Sequence, residues 1–226
     1  MNLNNIKNGD YWLGFLIVMV IAYVPLFDSL GSLPIVLWDE SRLAHNALEM
    51  YNSGNWLYLT YEGVADHFNA KPPMMIWLQV LSLKTFGLNE FAIRFPTALS
   101  GLFTCLLLYW FLGKKLDKPL LGVIACVILL TSEGYVKIHA ARTGDFDTLL
   151  TFFTLAYAIF YYLFLEEGKN KYLLICFAAI VAAVLTKGIA GIVLLPALFV
   201  YTLYKRKLFF LLRTPHFYIG LVRLNF

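Results

Sequence analysis

The sequence predicts an all-α, polytopic integral membrane protein, and three observations carry that prediction. First, 60% of the 226 residues are hydrophobic and 14% are charged, against about 45–50% apolar and about 25% charged in a soluble domain. Second, uncharged apolar runs recur, and about 20 such residues suffice for one crossing of a bilayer. Third, the tight Lys/Arg clusters can all be placed on one side of the membrane, as the positive-inside rule asks. An ordinary water-soluble enzyme is excluded by this arithmetic. Disorder is excluded by an aromatic content of 17%. The net charge is +4, and no long basic stripe argues for nucleic acid. Cys105, Cys126 and Cys176 sit inside apolar runs. Without a C-x-x-C or Cys/His pair they read as small hydrophobes rather than a metal or redox site.

The first apolar run, 11–27, reads as a retained span, because it is long for a signal peptide and no small-residue cleavage site follows. Residues 28–71 are polar and rich in acids, yet carry Trp38, Trp56, Tyr58, Tyr61 and Phe68. They suit a loop at headgroup depth rather than a loose linker. Within it, 40–51 reads as a surface helix with Leu43, Ala47, Leu48 and Tyr51 on one side, stopped by Asn52-Ser53-Gly54. Residues 72–87 are apolar but short and contain Lys84, which favours an interfacial helix over a span. Further spans are expected at 95–112, 119–136, 146–165, 172–186 and 188–204, the last two separated by Thr186-Lys187-Gly188.

Parity decides the topology. With the N-terminus inside and 72–87 lying flat, residues 28–94 form an outer loop. Lys114, Lys115 and Lys118, then Lys169 and Lys171, then Lys205-Arg206-Lys207 all fall in the cytoplasm. If 72–87 crossed, all three clusters would face outward. The favoured topology leaves Asp39, Glu40, Lys71, Arg142, Asp145, Asp147 and Lys187 on the outer side, several at helix ends. Charges at the apolar edge are costly enough to suggest function. Carboxylates beside cations suit proton removal together with an anionic leaving group. Each residue also has a plainer use: capping for Asp39, Glu40, Asp145 and Asp147, pairing with Glu40, Glu49 or a lipid phosphate for Arg42, and snorkelling for Lys71 and Lys187.

The series Trp38-Asp39-Glu40-Ser41-Arg42, Ser53-Gly54-Asn55-Trp56, Lys71-Pro72-Pro73, Trp77-Leu78, Phe86-Gly87, Arg94-Phe95-Pro96, Asp147-Thr148-Leu149-Leu150-Thr151-Phe152 and Thr186-Lys187-Gly188 resembles the GT-C glycosyltransferases. It is most similar to the dolichyl-phosphate-mannose–protein mannosyltransferase-like family, which includes the lipid A aminoarabinose transferase group. The resemblance covers about residues 37–207. It implies a GT-C-type helical bundle with an extracytoplasmic loop bearing interfacial helices, in the inner (plasma) membrane. It also implies inverting transfer of a sugar from a polyprenyl-phosphate donor to a lipid, glycan or protein acceptor on the outer face, as in protein glycosylation or lipid A modification. By the same resemblance Asp39 is the catalytic base or acceptor-positioning group, and Glu40, its neighbour in the Asp-Glu pair, is the second catalytic acid. Lys71 lies near the donor phosphate, Asp147 is a substrate-binding acid and Lys187 a second phosphate-binding cation. Arg142 joins the phosphate contacts by proximity, and Asp145 and Arg42 join the substrate contacts.

Two features depart from the family pattern. The aminoarabinose transferase group has a glutamate immediately before the lysine, implicated in a metal site. Here Asn69-Ala70 precede Lys71, so neither that metal nor aminoarabinose as the sugar is carried over, although a divalent metal stays open with His67 as a substitute ligand. The chain also corresponds to the N-terminal part of one GT-C domain, and its ending at Arg223-Leu224-Asn225-Phe226 reads as a span cut short. A transporter or flippase of lipid-linked substrates and an inactive truncated fragment are the alternative readings.

Overall fold

Apolar runs became helices because a backbone in hydrocarbon must satisfy its own N–H and C=O groups. The computed structural model describes residues 3–69, 71–137 and 140–218. Ala70 and the chain ending at 223–226 lie outside them. The chain divides into two compact units, Met1–Leu149 and Leu150–Phe226.

In the first unit α1 (Leu3–Phe27) is followed by α2 (Asp39–Ser53) and a two-stranded antiparallel hairpin, β1 (Thr60–Tyr61) with β2 (Val64–Ala65). Next come α3 (Met74–Phe86), α4 (Glu90–Trp110) continued by a π-turn at Phe111–Lys115, α5 (Pro119–Thr131) and α6 (Glu133–Val136). The core joins Val18, Ala22 and Leu26 of α1 to Ala98, Cys105 and Tyr109 of α4 and Cys126 and Leu130 of α5. Tyr109 lies beside Gly122, where an added Cβ would come within 2.9 Å of its ring, and its hydroxyl donates to the Tyr11 carbonyl at 2.6 Å. Small residues of this kind let membrane helices approach closely.

The second unit takes in most of α7 (Asp147–Glu167), then α8 (Asn170–Lys187), a 3₁₀ turn at Gly188–Ile192, α9 (Leu195–Tyr204) and α10 (Leu208–Arg213). Tyr161 of α7 hydrogen-bonds Thr202 of α9, and the Tyr157 hydroxyl accepts the Leu194 N–H at 3.2 Å.

Among the described residues four helical stretches are long and apolar enough to cross a membrane: Gly9–Phe27, Glu90–Lys115, Asp147–Glu167 and Asn170–Ile192. The expected crossing at 119–136 has the expected limits but is broken at Ser132 into α5 and α6. The expected crossing at 188–204 differs more. Its first five residues are 3₁₀, and α9 has 10 residues, about 15 Å at 1.5 Å per residue. Helix α3 has 13 residues, about 20 Å by the same rise, short of a hydrocarbon core of about 30 Å.

Candidate functional site

Helix α2 presents the first acidic residues. It begins one residue before the expected start and ends as Gly54 adopts φ 69° and donates to the Met50 carbonyl. Leu43, Ala44, Ala47 and Met50 are buried, while Leu48 and Tyr51 are half-buried. The residue preceding the helix, Trp38, has φ 79° and makes no side-chain cap bond. A positive φ in a bulky residue is strained and must be held by its surroundings.

What holds it is a buried ion pair. Glu40 is 3% exposed, and its carboxylate accepts from Arg94 Nε at 2.7 Å, Arg94 Nη2 at 3.0 Å, Val36 N–H at 2.7 Å and Gly144 N–H at 2.9 Å. Arg94 also donates to the carbonyls of Leu30, Leu33 and Pro34 at 3.0, 2.8 and 2.8 Å. Its five N–H groups thus stitch the α1–α2 connection to α4. Burial alone would raise the Glu40 carboxyl, but the Arg94 guanidinium and the two N–H donors outweigh it and hold it below the ordinary range. The expected acid–base role of Glu40 therefore gives way to that of a clamp: its acceptor positions are used inside the protein.

Gly144 is gripped on both sides. Its N–H goes to Glu40 at 2.9 Å, and its carbonyl accepts from Gln79 Nε2 at 3.0 Å, which also reaches the Ile93 carbonyl at 3.2 Å. A Cβ at Gly144 would meet Ile93 Cγ2 at 2.8 Å and Gln79 Nε2 at 2.9 Å. Gly144→Ala is accordingly expected to destabilise the protein by about 1–3 kcal/mol, read as a lower unfolding temperature in detergent.

Asp39, Arg42 and Lys71, all expected site residues, line one cleft of about 30 Å³ with Leu43, Phe68 and Asn69. Arg42 forms a two-point fork with Asp66, at 3.0 Å through Nε and 2.5 Å through Nη2, and lies over the rings of Tyr61 and Phe68 at 4.4 and 4.5 Å. Its partner is Asp66, not the expected Glu40, Glu49 or a lipid phosphate. Burial would raise the Asp66 carboxyl, but Arg42, Asn46 and the Asn69 N–H hold it far below the usual carboxylate range. Lys71 Nζ sits 4.8 Å from the centre of the Phe146 ring, tying the cleft to the segment that enters α7.

The remaining expected residues are placed otherwise. Arg142 donates to the carbonyls of Pro25 and Asp28 at 3.1 and 2.7 Å, so it braces the end of α1 instead of projecting toward Lys71. Asp145 is buried and accepts the Phe146 N–H at 2.6 Å, just before α7 begins. Asp147 is the half-buried first residue of α7, and Lys187 is the half-buried last residue of α8 in the second unit. Among the described residues no group of three His, Cys, Asp or Glu side chains could hold a metal ion. Of the metal donors in and around the cleft, Asp39 lines it with Lys71, Asp66 is committed to Arg42 and His67 is exposed. This donor set does not fit the metal site of the aminoarabinose transferase group.

Sequence reasoning missed Arg94, Asp66, Asn46, Asn69 and Gln79. Arg94 left a signal, a charge inside an apolar helix. Asn46 left a weaker one, an amide on the buried face of α2.

Residues 70–225 match the family described as dolichyl-phosphate-mannose-protein mannosyltransferase. The chain belongs to this family. An uncharacterized protein of Aquifex aeolicus is 33% identical over 180 residues, covering 80% of this chain and 35% of that protein. The undecaprenyl phosphate-alpha-4-amino-4-deoxy-L-arabinose arabinosyl transferase of Edwardsiella ictaluri is 33% identical over 124 residues, covering 54% of this chain and 21% of the relative. The crystal structure of ArnT from Cupriavidus metallidurans bound to undecaprenyl phosphate is similar at a TM-score of 0.80 with 28% identity, covering 92% of this chain and 38% of that one. As a member of the family, the protein is a multi-pass membrane protein with a GT-C-type helical bundle. The chain spans 21% to 35% of the length of the curated relatives named here.

Proposed function

We propose that this chain carries the donor-phosphate and base positions of a polyprenyl-phosphate-sugar glycosyltransferase working at the outer face of the inner membrane. The observation that carries the reading is the single cleft lined by Asp39, Lys71 and Arg42. The ligand bound in the Cupriavidus structure, undecaprenyl phosphate, and the donor in the name of the Edwardsiella relative support it.

In this reading Asp39 accepts the proton of an acceptor hydroxyl. The acceptor oxygen attacks the anomeric carbon from the face opposite the phosphate, the carbon–oxygen bond to phosphate breaks, and the configuration inverts. Polyprenyl phosphate departs with one more negative charge, which Lys71 offsets. The Phe146 ring restrains the Lys71 ammonium by a cation–π contact. Asp147 serves as a further substrate contact, and the acceptor is a lipid, glycan or protein hydroxyl.

Lys71→Gln tests the reading through binding of undecaprenyl phosphate to the protein in detergent. Affinity is expected to fall roughly tenfold or more, with Lys71→Arg keeping most of it, as one charge-assisted contact is worth about 1.5–3 kcal/mol. Equal affinity of Lys71→Gln and wild type would remove the phosphate site from this cleft.

A further inference from the structure

Asn69 is 8% exposed and lines the same cleft as Asp39 and Lys71. Its Oδ1 is buried without a hydrogen-bond partner among the described residues. The amide's orientation is fixed by a chain of bonds. Asn46 Nδ2 donates to the Thr60 carbonyl at 2.6 Å and to Asp66 Oδ2 at 3.0 Å, so Asn46 turns its Oδ1 toward Asn69 and accepts from Asn69 Nδ2 at 3.0 Å. The Asn69 N–H is in turn spent on Asp66 Oδ1 at 3.1 Å. Flipping Asn69 would set two carbonyl oxygens against each other, and flipping Asn46 would set its oxygen against a carbonyl and a carboxylate. The acceptor that is left over is therefore a consequence of the network and not of an arbitrary amide assignment.

A buried acceptor without a donor costs free energy that a ligand donor recovers. Phosphate oxygens at neutral pH are acceptors and gain nothing from it. A sugar hydroxyl donates. Phe68, 81% exposed, borders the same cleft with an aromatic ring, a surface on which a sugar's apolar face can rest. The cleft of about 30 Å³ admits one or two small polar groups rather than a whole ring.

We infer that Asn69 is a specificity-determining residue whose Oδ1 accepts a hydrogen bond from one hydroxyl of the donor's sugar, while Lys71 holds the phosphate. This rests on the glycosyltransferase reading above and adds the residue that tells a sugar-bearing donor from the bare lipid phosphate.

The test compares binding of undecaprenyl phosphate alone with undecaprenyl phosphate linked to mannose, to glucose and to 4-amino-4-deoxy-arabinose. The full chain is used in detergent, as wild type and Asn69→Ala. The preferred sugar-linked donor is expected to lose roughly ten- to hundredfold in affinity in Asn69→Ala, with undecaprenyl phosphate alone unchanged. Equal losses on both ligands would show that Asn69 only braces Asn46 and would overturn the inference. No loss on either would also overturn it. Single-deoxy versions of the preferred donor give a second readout on the wild type, independent of whether Asn69→Ala folds. One of them is expected to bind at least about tenfold more weakly than its parent, and uniform binding across the series overturns the inference. If undecaprenyl phosphate binds in a Lys71-dependent manner while Asn69→Ala matches wild type throughout, only this inference falls. If it does not bind wild type at all, the glycosyltransferase reading falls and takes this inference with it.

Discussion

Asp39→Asn is expected to lower sugar transfer by about 10²–10⁴-fold, the usual worth of a positioned general base, while leaving membrane insertion and donor binding intact. The amide keeps the shape of the side chain but cannot take a proton from the acceptor. Insertion should survive because the fold does not lean on this carboxylate as an N-cap: the cap position is Trp38 and makes no side-chain bond. The exchange also gives up the helix-dipole contribution of one acid in the first turn, about 0.3–1 kcal/mol. The neighbouring acid predicts the opposite pattern. Glu40→Gln disturbs a buried clamp, so its losses should follow stability. The measurement is transfer in membranes carrying equal amounts of each variant, with the rate at saturating donor separated from the donor concentration at half rate. Wild-type turnover by Asp39→Asn at saturation would end the assignment of Asp39 as the base.

Local chemistry was legible in the sequence and long-range pairing was not. Helix α2 stopped at Gly54 because Asn52-Ser53-Gly54 is a stop signal readable without any partner. The short α3 was legible because Pro72-Pro73 and Gly87 bracket it. The region 188–204 read as one crossing because its composition is apolar throughout, but Gly188 and Gly191 fall in a 3₁₀ stretch and Pro196 sits in the first turn of a separate α9, and composition weighs them too lightly. At the site, Asp39, Arg42 and Lys71 stood out as charges beside apolar runs. Glu40 looked identical to Asp39 by that criterion, because the fact that separates them is a partner 54 positions away. Arg42 was misassigned for the same reason, its carboxylate lying 24 positions on at Asp66. Asn69 carries no charge at all, and only the geometry of Asn46 and Asp66 makes its oxygen distinctive.

Arg94→Leu should be the most destabilising single change in the described structure, costing about 3–5 kcal/mol at neutral pH, because it leaves a buried carboxylate without its counter-ion. The loss is not of the ion pair alone. The carbonyls of Leu30, Leu33 and Pro34 lose their donor in the same step, and the connection that presents Asp39 loses its anchor. The pH dependence gives the mechanism a signature. In the wild type the Glu40 carboxyl is held below its ordinary value of 4.5, so its stabilisation is fully present above that value and is lost as pH falls through the lower folded value. In Arg94→Leu burial acts on Glu40 with no guanidinium opposing it, the carboxyl is pushed upward, and falling pH stabilises the variant by letting Glu40 take a proton. The difference in unfolding temperature between the two proteins should therefore narrow on acidification from neutral pH. The double variant Arg94→Leu/Glu40→Leu should recover part of the neutral-pH loss, since replacing a buried pair by apolar groups is far less costly than breaking it. A constant difference at every pH, with no recovery in the double variant, would mean that Glu40 is not the charge Arg94 neutralises.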